Sequence, residues 1–345
     1  MSDGLIVPVN KYQVTKQSNH IAIKPSFTMK LQHIPTFADI QRVHENIKPY
    51  INTTPVLHST SINEISGASI YFKCENFQKV GAFKMRGAAS AIMALSPAEL
   101  AKGVATHSSG NHAQAVALSA RNHNTKAYIV MPSNAPAIKR AATKGYGAEI
   151  ITCEPTLAAR ESTLEAVVAK TGATFLHPYN NYDVIAGQAT AAKELIEEVG
   201  ELDIVMAPVG GGGLMSGTSI STKALLPHAQ IIGAEPEIAN DAYRSFKSGT
   251  MQYNTSIDTI ADGLRTNLGT YTFEIIKENL TDIITVSEEE IIAAMRIIWE
   301  RMKIIIEPSC SVPFAAVLQQ PDRFKDKKIG IIITGGNVDV TNLPF

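Results

Sequence analysis

The stretch Cys74-Glu75-Asn76-Phe77-Gln78-Lys79-Val80-Gly81-Ala82-Phe83-Lys84-Met85-Arg86-Gly87 joins two segments of different character. The apolar run Ala68 to Phe72 before it reads as a strand, and the Ala-rich run Arg86 to Leu95 after it reads as a helix. Lys84 is thereby predicted at a strand-to-helix junction, with Phe83 before it and Gly81 and Gly87 on either side. A small, partly apolar space of that kind disfavours the ammonium form and lowers the pKa of the amine. An amine tuned in this way forms Schiff bases. A lysine taken alone is more ordinarily a solvated surface charge, so the weight of this reading rests on the motifs downstream.

The chain has 345 residues, 45% of them apolar and 18% charged, which supplies a buried core and suits two lobes rather than one. A formal charge of −1 leaves no global field to draw in nucleic acid or an anionic membrane, and no long basic run supplies a local one. Small-molecule chemistry is the default. Cys74, Cys153 and Cys310 are an odd number without a C-x-x-C spacing, which supports neither a disulfide framework nor a cysteine zinc site and suits a reducing compartment. Lys11, Lys16 and Lys24 interrupt the N-terminal segment, so neither a signal peptide nor a membrane span is expected there, and the cytosol is the expected location. That segment lacks periodicity and is expected to drape over the surface or to pair with a neighbouring subunit.

Along the chain, Phe37 to Ile47 is a helix with Thr36 as its N-cap and Pro49 beyond its end. Thr53 to Leu57 is extended, because the residue before a proline is pushed out of the helical region. Strands at Val104 to His107, Ala127 to Met131, Glu149 to Thr152 and Thr174 to Leu176 alternate with helices near Ala113 to Arg121, Ala137 to Lys144 and Leu157 to Ala169. A second series holds the helix Ala186 to Val199, the strand Ile204 to Val209, the helix Met215 to Leu226 and the strand Ile231 to Ala234. Ser287-x-x-Glu290 is a capping box opening a helix to about Lys303, and Ile329 to Ile333 is the last strand. Repeated β-α units predict an α/β fold of parallel sheets flanked by helices.

Four segments beyond strand ends carry candidate chemistry. Ser108-Ser109-Gly110-Asn111-His112 precedes a helix, whose N-terminal amides form an anion site suited to a substrate carboxylate; an ordinary capping turn is the alternative. Gly210-Gly211-Gly212-Gly213-Leu214 lets successive amides approach a phosphate without Cβ atoms in the way. A dinucleotide site competes, since Glu235 lies at a suitable distance, but Met215 and Ser216 leave no frame of G-x-G-x-x-G. In Glu235-Pro236-Glu237-Ile238-Ala239-Asn240-Asp241, two acidic side chains and a carbonyl can supply oxygen ligands for Mg²⁺ or Ca²⁺, against the simpler reading of solvated acids capping a helix. Thr334-Gly335-Gly336-Asn337 follows the last strand, where a bare turn would explain the glycines equally well.

Asn76-Phe77-Gln78-Lys79-x-Gly81-x-Phe83-Lys84-x-Arg86-Gly87 closely resembles the pyridoxal-phosphate lysine motif of the serine/threonine dehydratase and serine racemase family, of fold type II. The resemblance runs from about His33 to the C-terminus and takes in the other motifs. It implies a large cofactor domain of residues 33–102 and 179–345, a small substrate-loop domain inserted at 103–178, and an N-terminal extension of 1–32. Lys84 then carries the cofactor beside Phe83, and Asn111 contacts the phenolic oxygen. Gly210, Gly211, Gly212, Gly213 and Leu214 hold the phosphate, and Ser108, Ser109, Gly110, Asn111 and His112 hold the substrate. Thr334 bonds the pyridine nitrogen without protonating it, which keeps the ring a moderate electron sink suited to β-elimination. A divalent cation, Mg²⁺ or alternatively Ca²⁺ or Mn²⁺, binds at Glu235, the Ala239 carbonyl and Asp241, and the assembly is a homodimer.

Two departures from the family pattern stand out. Glu307-Pro308-Ser309-Cys310-Ser311-Val312-Pro313 replaces the small-residue Glu-Pro-Thr/Ser-Ala/Gly-Gly type of segment common in the family, at the pocket wall near the ring, which leaves substrate size open. The chain ends at Phe345, soon after the Thr334 motif, so no C-terminal regulatory domain and no feedback inhibition by isoleucine are expected. The implied activity is dehydration of L-serine or L-threonine, with 3-hydroxyaspartate a further candidate, to a 2-oxo acid and ammonia. Lys84 removes the α-proton in that reaction. Serine racemisation, with Ser109 on the face opposite Lys84, is the alternative. A nucleotide-dependent oxidoreductase or a silent binding protein is the distant one.

Overall fold

The computed structural model describes residues 30–345 apart from Pro136; the expectations for the N-terminal extension fall almost entirely outside the described residues. Among the described residues, ten strands form two sheets: β1 (Val56–Leu57), β2 (Ser69–Cys74), β3 (Val104–His107), β4 (Ala127–Pro132), β5 (Glu149–Cys153), β6 (Thr174–Phe175), β7 (Ile204–Pro208), β8 (Gln230–Pro236), β9 (Asp282–Val286) and β10 (Lys328–Ile333). The larger sheet runs β1-β2-β10-β7-β8-β9, parallel throughout except for the edge pair β1 and β2. The smaller runs β5-β4-β3-β6 and is wholly parallel. It is drawn entirely from residues 104–175, and the larger sheet from what precedes and follows.

A parallel sheet is covered on both faces, so its strands read as unbroken apolar runs. In β10, Ile329, Ile331 and Ile333 pack into one core with Ile70, Phe72 and Phe314. Ile332, on the opposite face, packs with Val205, Ala207 and Leu195 in another. Ile331 stands opposite both Phe72 of β2 and Met206 of β7, which places β10 at the centre of the sheet despite being last in the chain.

The helix expected after Lys84 spans Lys84–Met93, beginning at the lysine itself. Its apolar residues Met85, Ala88, Ala89 and Ile92 share a core with Ile129 and Met131 of β4 and with Val116 of the helix Asn111–Asn122. Glycines let it approach the helix Tyr182–Val199 backbone to backbone. A Cβ on Gly187 would lie 2.5 Å from the Arg86 carbonyl oxygen and 2.7 Å from Gly87 Cα. On that helix's other side, a Cβ on Gly217 would meet the Ala189 amide at 2.6 Å.

A buried ionic cluster locks the same junction. The Arg86 guanidinium, with no exposed surface, donates to both Glu75 oxygens at 2.8 Å and to Glu194 at 2.8 and 2.7 Å. Lys73 adds an ion pair to Glu194 at 2.8 Å. Lys193 donates to His44 Nδ1 at 3.1 Å, which leaves the ring proton on Nε2, 2.9 Å from Glu194 Oε1. Burial alone would raise the Glu194 carboxyl, yet the bonds from His44 and Arg86 hold it well below its ordinary 4.5. Its depressed pKa means that its contribution to stability is present above pH 4.5 and is lost only as pH falls through the lower folded value.

Several elements escaped the pattern reading. Val312–Gln319 is a helix, and its residues 312 to 317 are all buried, so no polar face marks its period. The helices Thr60–Ser66 and Thr270–Asn279, and strand β9, were likewise not anticipated, whereas Asp241–Ser248 is the helix expected next to the acidic segment. No helix among the described residues is long and apolar enough to cross a membrane.

Replacing Arg86 by Met leaves the buried carboxylates Glu75 and Glu194 short of their main counter-charge. A loss of ~3–5 kcal/mol is expected in chemical denaturation, and Arg86→Lys recovers little of it, because one ammonium cannot span two carboxylates bidentately. A loss under ~1 kcal/mol for Arg86→Met would show that the cluster does not hold the junction.

Candidate active site

Every segment singled out for chemistry lies at or beyond the C-terminal end of a strand, the edge at which parallel α/β sheets bind ligands. The Lys84 loop follows β2, the Ser108 loop β3, the glycine run β7, the acidic segment β8 and the Thr334 motif β10. Two of them are tied to each other. Phe83 donates its amide to the Thr334 carbonyl at 2.9 Å, Gly336 donates to the Gly81 carbonyl at 2.9 Å, and Ala82 bridges Gly335 antiparallel. Gly81 adopts φ +66°, and a Cβ there would meet Asn337 Oδ1 at 2.9 Å, so both backbone and space require glycine.

Lys84 opens its helix with Nζ donating to the Pro178 carbonyl at 2.9 Å and standing 5.1 Å from the Phe83 ring centroid. Burial lowers its pKa to about 8, against the opposing pull of Glu307. Asn111 donates from Nδ2 to both Glu307 oxygens, at 3.1 and 3.0 Å, while its own Oδ1 accepts from Asn337 at 2.8 Å. Thr334 Oγ1 lies 3.5 Å from Glu307 Oε1. Burial, reinforced by the charge of Asp262, raises the Glu307 carboxyl to about 7. Glu307 thus connects Asn111 with Thr334, a role the sequence reading did not assign to it.

The Ser108 loop is half-buried, with Gly110 donating its amide to Ser108 Oγ at 3.3 Å. His112 is buried and lies 3.1 Å from the Leu176 carbonyl through Nε2, so that nitrogen carries the proton and Nδ1 does not. Nδ1 has no hydrogen-bond partner among the described residues. Burial first, then the charge of Lys84, lowers this imidazole to about 3. His177 is a second histidine beside the lysine: its Nδ1 accepts the amides of Tyr179 and Asn180, and burial, then His107 and Lys84, lowers it to about 4. The sequence reading missed His177 to Tyr179. The available signal was positional, since they follow β6 as the recognised motifs follow their strands.

The glycine run is packed rather than loose. A Cβ on Gly211 would overlap the Tyr179 ring at 2.2 Å, and Gly212 has φ +84°. Thr272 donates its hydroxyl to the Gly211 carbonyl at 2.8 Å. The amides of Gly210 to Leu214 are buried and donate to no acceptor among the described residues. They stand at the N-terminus of the helix Gly213–Leu225, whose dipole favours an anion. Unsatisfied buried amides packed on Tyr179, next to the Pro178 carbonyl that the half-buried Lys84 bonds, suit a phosphate and an aldehyde on one molecule, so these residues fit pyridoxal phosphate.

Glu235 and Asp241 are both fully buried. Glu235 accepts the amides of Ala242 at 3.2 Å and Tyr243 at 2.9 Å, and Asp241 accepts from Asn254 Nδ2 at 2.6 Å and the Leu268 amide at 2.8 Å. Burial raises both carboxyls, Asp241 to about 6 and Glu235 well above its ordinary value, with the Asp241 charge adding to the latter. No group of three or more His, Cys, Asp or Glu side chains able to hold a metal occurs among the described residues. Between them in the chain Pro236 and Ala239 are buried, with Glu237 and Ile238 exposed.

Residues 47–335 match the model of the family described as pyridoxal-phosphate dependent enzyme. The chain is 48% identical over 313 residues to a beta-hydroxyaspartate dehydratase of Paracoccus denitrificans, covering 91% of this chain and 99% of that one. It is 50% identical over 308 residues to an L-threo-3-hydroxyaspartate ammonia-lyase of Saccharomyces cerevisiae, covering 89% and 94%. The crystal structure of serine racemase from Dictyostelium discoideum superposes with a TM-score of 0.85 at 51% identity, covering 88% of this chain and 99% of that one. With a lysine amine beside a free-amide cradle, and with this likeness over nine-tenths of its length, the chain belongs to the pyridoxal-phosphate-dependent enzymes of fold type II, among the dehydratases and racemases of hydroxy amino acids.

Proposed function

We propose that the protein is an ammonia-lyase that dehydrates a β-hydroxy amino acid, L-serine, L-threonine or 3-hydroxyaspartate, to a 2-oxo acid and ammonia. The observation that carries this is the Lys84 amine, its pKa lowered to about 8, which bonds the Pro178 carbonyl next to Tyr179, the residue on which the unsatisfied amides of the glycine run are packed. Names borne by relatives support 3-hydroxyaspartate among the substrates.

Pyridoxal phosphate, when bound, supplies an electron sink for the pair left on the substrate α-carbon. The amides of Gly210 to Leu214 would hold its phosphate, Phe83 would pack on the ring, Asn111 would face the phenolic oxygen and Thr334 the ring nitrogen. Lys84 Nζ, carrying an unprotonated fraction near neutral pH, takes the α-proton. The amides from Ser108 to His112 bind the substrate carboxylate and orient the Cα–H bond toward Lys84. Racemisation is the second reading, favoured by the serine racemase relatives; Ser109 would then exchange a proton at the opposite face of the α-carbon. The family match leaves the oxidoreductase alternative without support.

The same reading takes residues 103–178 as the small lobe and the assembly as a homodimer. It places the enzyme in the cytosol, which agrees with the unpaired, buried state of Cys74, Cys153 and Cys310. It also assigns a divalent cation to Glu235, the Ala239 carbonyl and Asp241, because two buried carboxylates with raised pKa values call for a positive partner.

Lys84→Ala is expected to remove the visible cofactor band of the purified protein and its lyase activity. A variant in which borohydride still fixes the cofactor to the chain would place the reactive amine elsewhere. A substrate panel assayed for both 2-oxo acid and D-amino acid ranks the two activities.

Ser109→Ala should abolish formation and use of D-serine while dehydration of the L-substrate persists, reduced by ~10 to 100-fold if the loop also positions the carboxylate. Equal loss of both reactions would leave Ser109 a positioning role alone.

Saturating Mg²⁺ should raise the thermal midpoint of the chelated parent, by the equivalent of ~2.7 kcal/mol at a hundredfold excess over Kd, and should do little for Glu235→Ala or Asp241→Ala. A parent indifferent to chelation would remove the cation from this site.

A further inference from the structure

Asn337 ends the Thr334 motif, and its half-buried side-chain amide reaches two groups. Nδ2 donates to the Val80 carbonyl at 2.8 Å and to Asn111 Oδ1 at 2.8 Å, so both of its protons are used. A backbone carbonyl only accepts, which fixes Nδ2, and not Oδ1, as the atom turned toward Val80. Val80 is a buried valine at φ +57° and ψ 12°, a left-handed conformation that a β-branched side chain resists. Gly81 follows at φ +66°, where a Cβ would lie 2.9 Å from Asn337 Oδ1. Two consecutive left-handed residues thus shape a turn around this one amide, and such strain persists where the surroundings fix it.

Asn111 Nδ2 lies 3.1 and 3.0 Å from the two oxygens of Glu307. Both oxygens belong to one carboxyl group, too narrow a target for two N–H bonds that diverge from a planar nitrogen. One proton therefore serves both, and the second has no acceptor among the described residues. Glu307 does not secure that orientation by itself. With its carboxyl raised to about 7 it is part protonated near neutral pH, and a protonated carboxyl donates as well as accepts. It tolerates the Asn111 amide either way round. Asn337 does not: it presents only a donor, and a reversed Asn111 would set two N–H groups against each other.

We propose that Asn337 is a positioning residue: clamped by the Val80 carbonyl, it holds Asn111 with Oδ1 turned away and a free Nδ2 proton presented to the cofactor's phenolic oxygen. The inference rests on the reading that Asn111 faces that oxygen. A reversed amide would bring a carbonyl against it, lone pair to lone pair, and would disfavour the ionised phenolic form instead of stabilising it.

A double-mutant cycle on cofactor binding tests the idea without recourse to turnover. Dissociation constants for pyridoxal phosphate are measured by equilibrium dialysis for the parent, Asn111→Ala, Asn337→Ala and the double variant. Asn111→Ala is expected to weaken binding by ~10-fold, the worth of a hydrogen bond to a charged oxygen, and Asn337→Ala by ~3- to 10-fold. The double variant is expected to bind no more weakly than Asn111→Ala alone, because Asn337 acts through Asn111. The visible band of the bound cofactor, which reports ionisation of the phenolic oxygen, should move in the same direction in both single variants. No effect of Asn111→Ala would overturn the reading of Asn111 and this inference with it. Weakening by Asn111→Ala alone, effects that add in full, or a band unmoved in Asn337→Ala would overturn the role of Asn337 and leave Asn111 in place. Should Asn337→Ala fail to fold, neutron diffraction from crystals of the parent holoenzyme locates the protons. An Asn111 Nδ2 proton on the phenolic oxygen, with the Asn337 protons on Val80 and Asn111, supports the clamp, and an Asn111 amide turned the other way refutes it.

Discussion

The Arg86 guanidinium between Glu75 and Glu194 is the contact on which the arrangement of the site depends. Glu75 directly follows β2, Arg86 lies two residues beyond Lys84 on its helix, and Glu194 belongs to the helix Tyr182–Val199. The end of β2, the Lys84 helix and a helix more than a hundred residues later are therefore pinned together by a side chain two residues from the reactive amine. A charge buried so completely is tolerated only when paired on every side, and removing a partner costs far more than the pair contributes against an apolar substitute. The geometry is thus held by an all-or-none condition rather than by the sum of many weak contacts.

Close helix packing adds a second constraint. Gly87 and Gly187 bring the Lys84 helix against Tyr182–Val199, and Gly217 brings the following helix onto the other side. The Lys84 helix also shares a core with the smaller sheet, so the amine stands where both sheets direct their C-terminal strand ends. The amide cradle belongs to the larger sheet and the Ser108 loop to the smaller. A ligand bound to both must lie across the gap between them.

Much of this was legible in residue order. The parallel β-α alternation, the caps at Thr36 and Ser287, the helix just after Lys84 and the glycine run all rest on local rules: period, capping and freedom from Cβ atoms. The helix Val312–Gln319 did not show itself, because burial on every side erases the polar face that reveals a helical period. Glu307 had no role of its own in the sequence reading, and His177 was not seen as part of the site, for a different reason. A glutamate or a histidine has no local pattern, and its meaning comes from Asn111, Lys84 or Thr334, which lie far away in the chain.

The sequence by itself determined which chemistry is available: an amine at a strand-to-helix junction, amides without side chains to shield them, and a hydroxyl after the last strand. Those features are local, and local sterics and hydrogen bonding specify them. Only the tertiary structure decided how the groups act on one another. It lowered the Lys84 pKa through burial, raised Glu307 beside Asp262, bonded Glu307 to Asn111 and set the Cys310 sulfur against Thr334. Desolvation and through-space contact depend on what the whole chain places around a group, and no stretch of neighbouring residues carries that information.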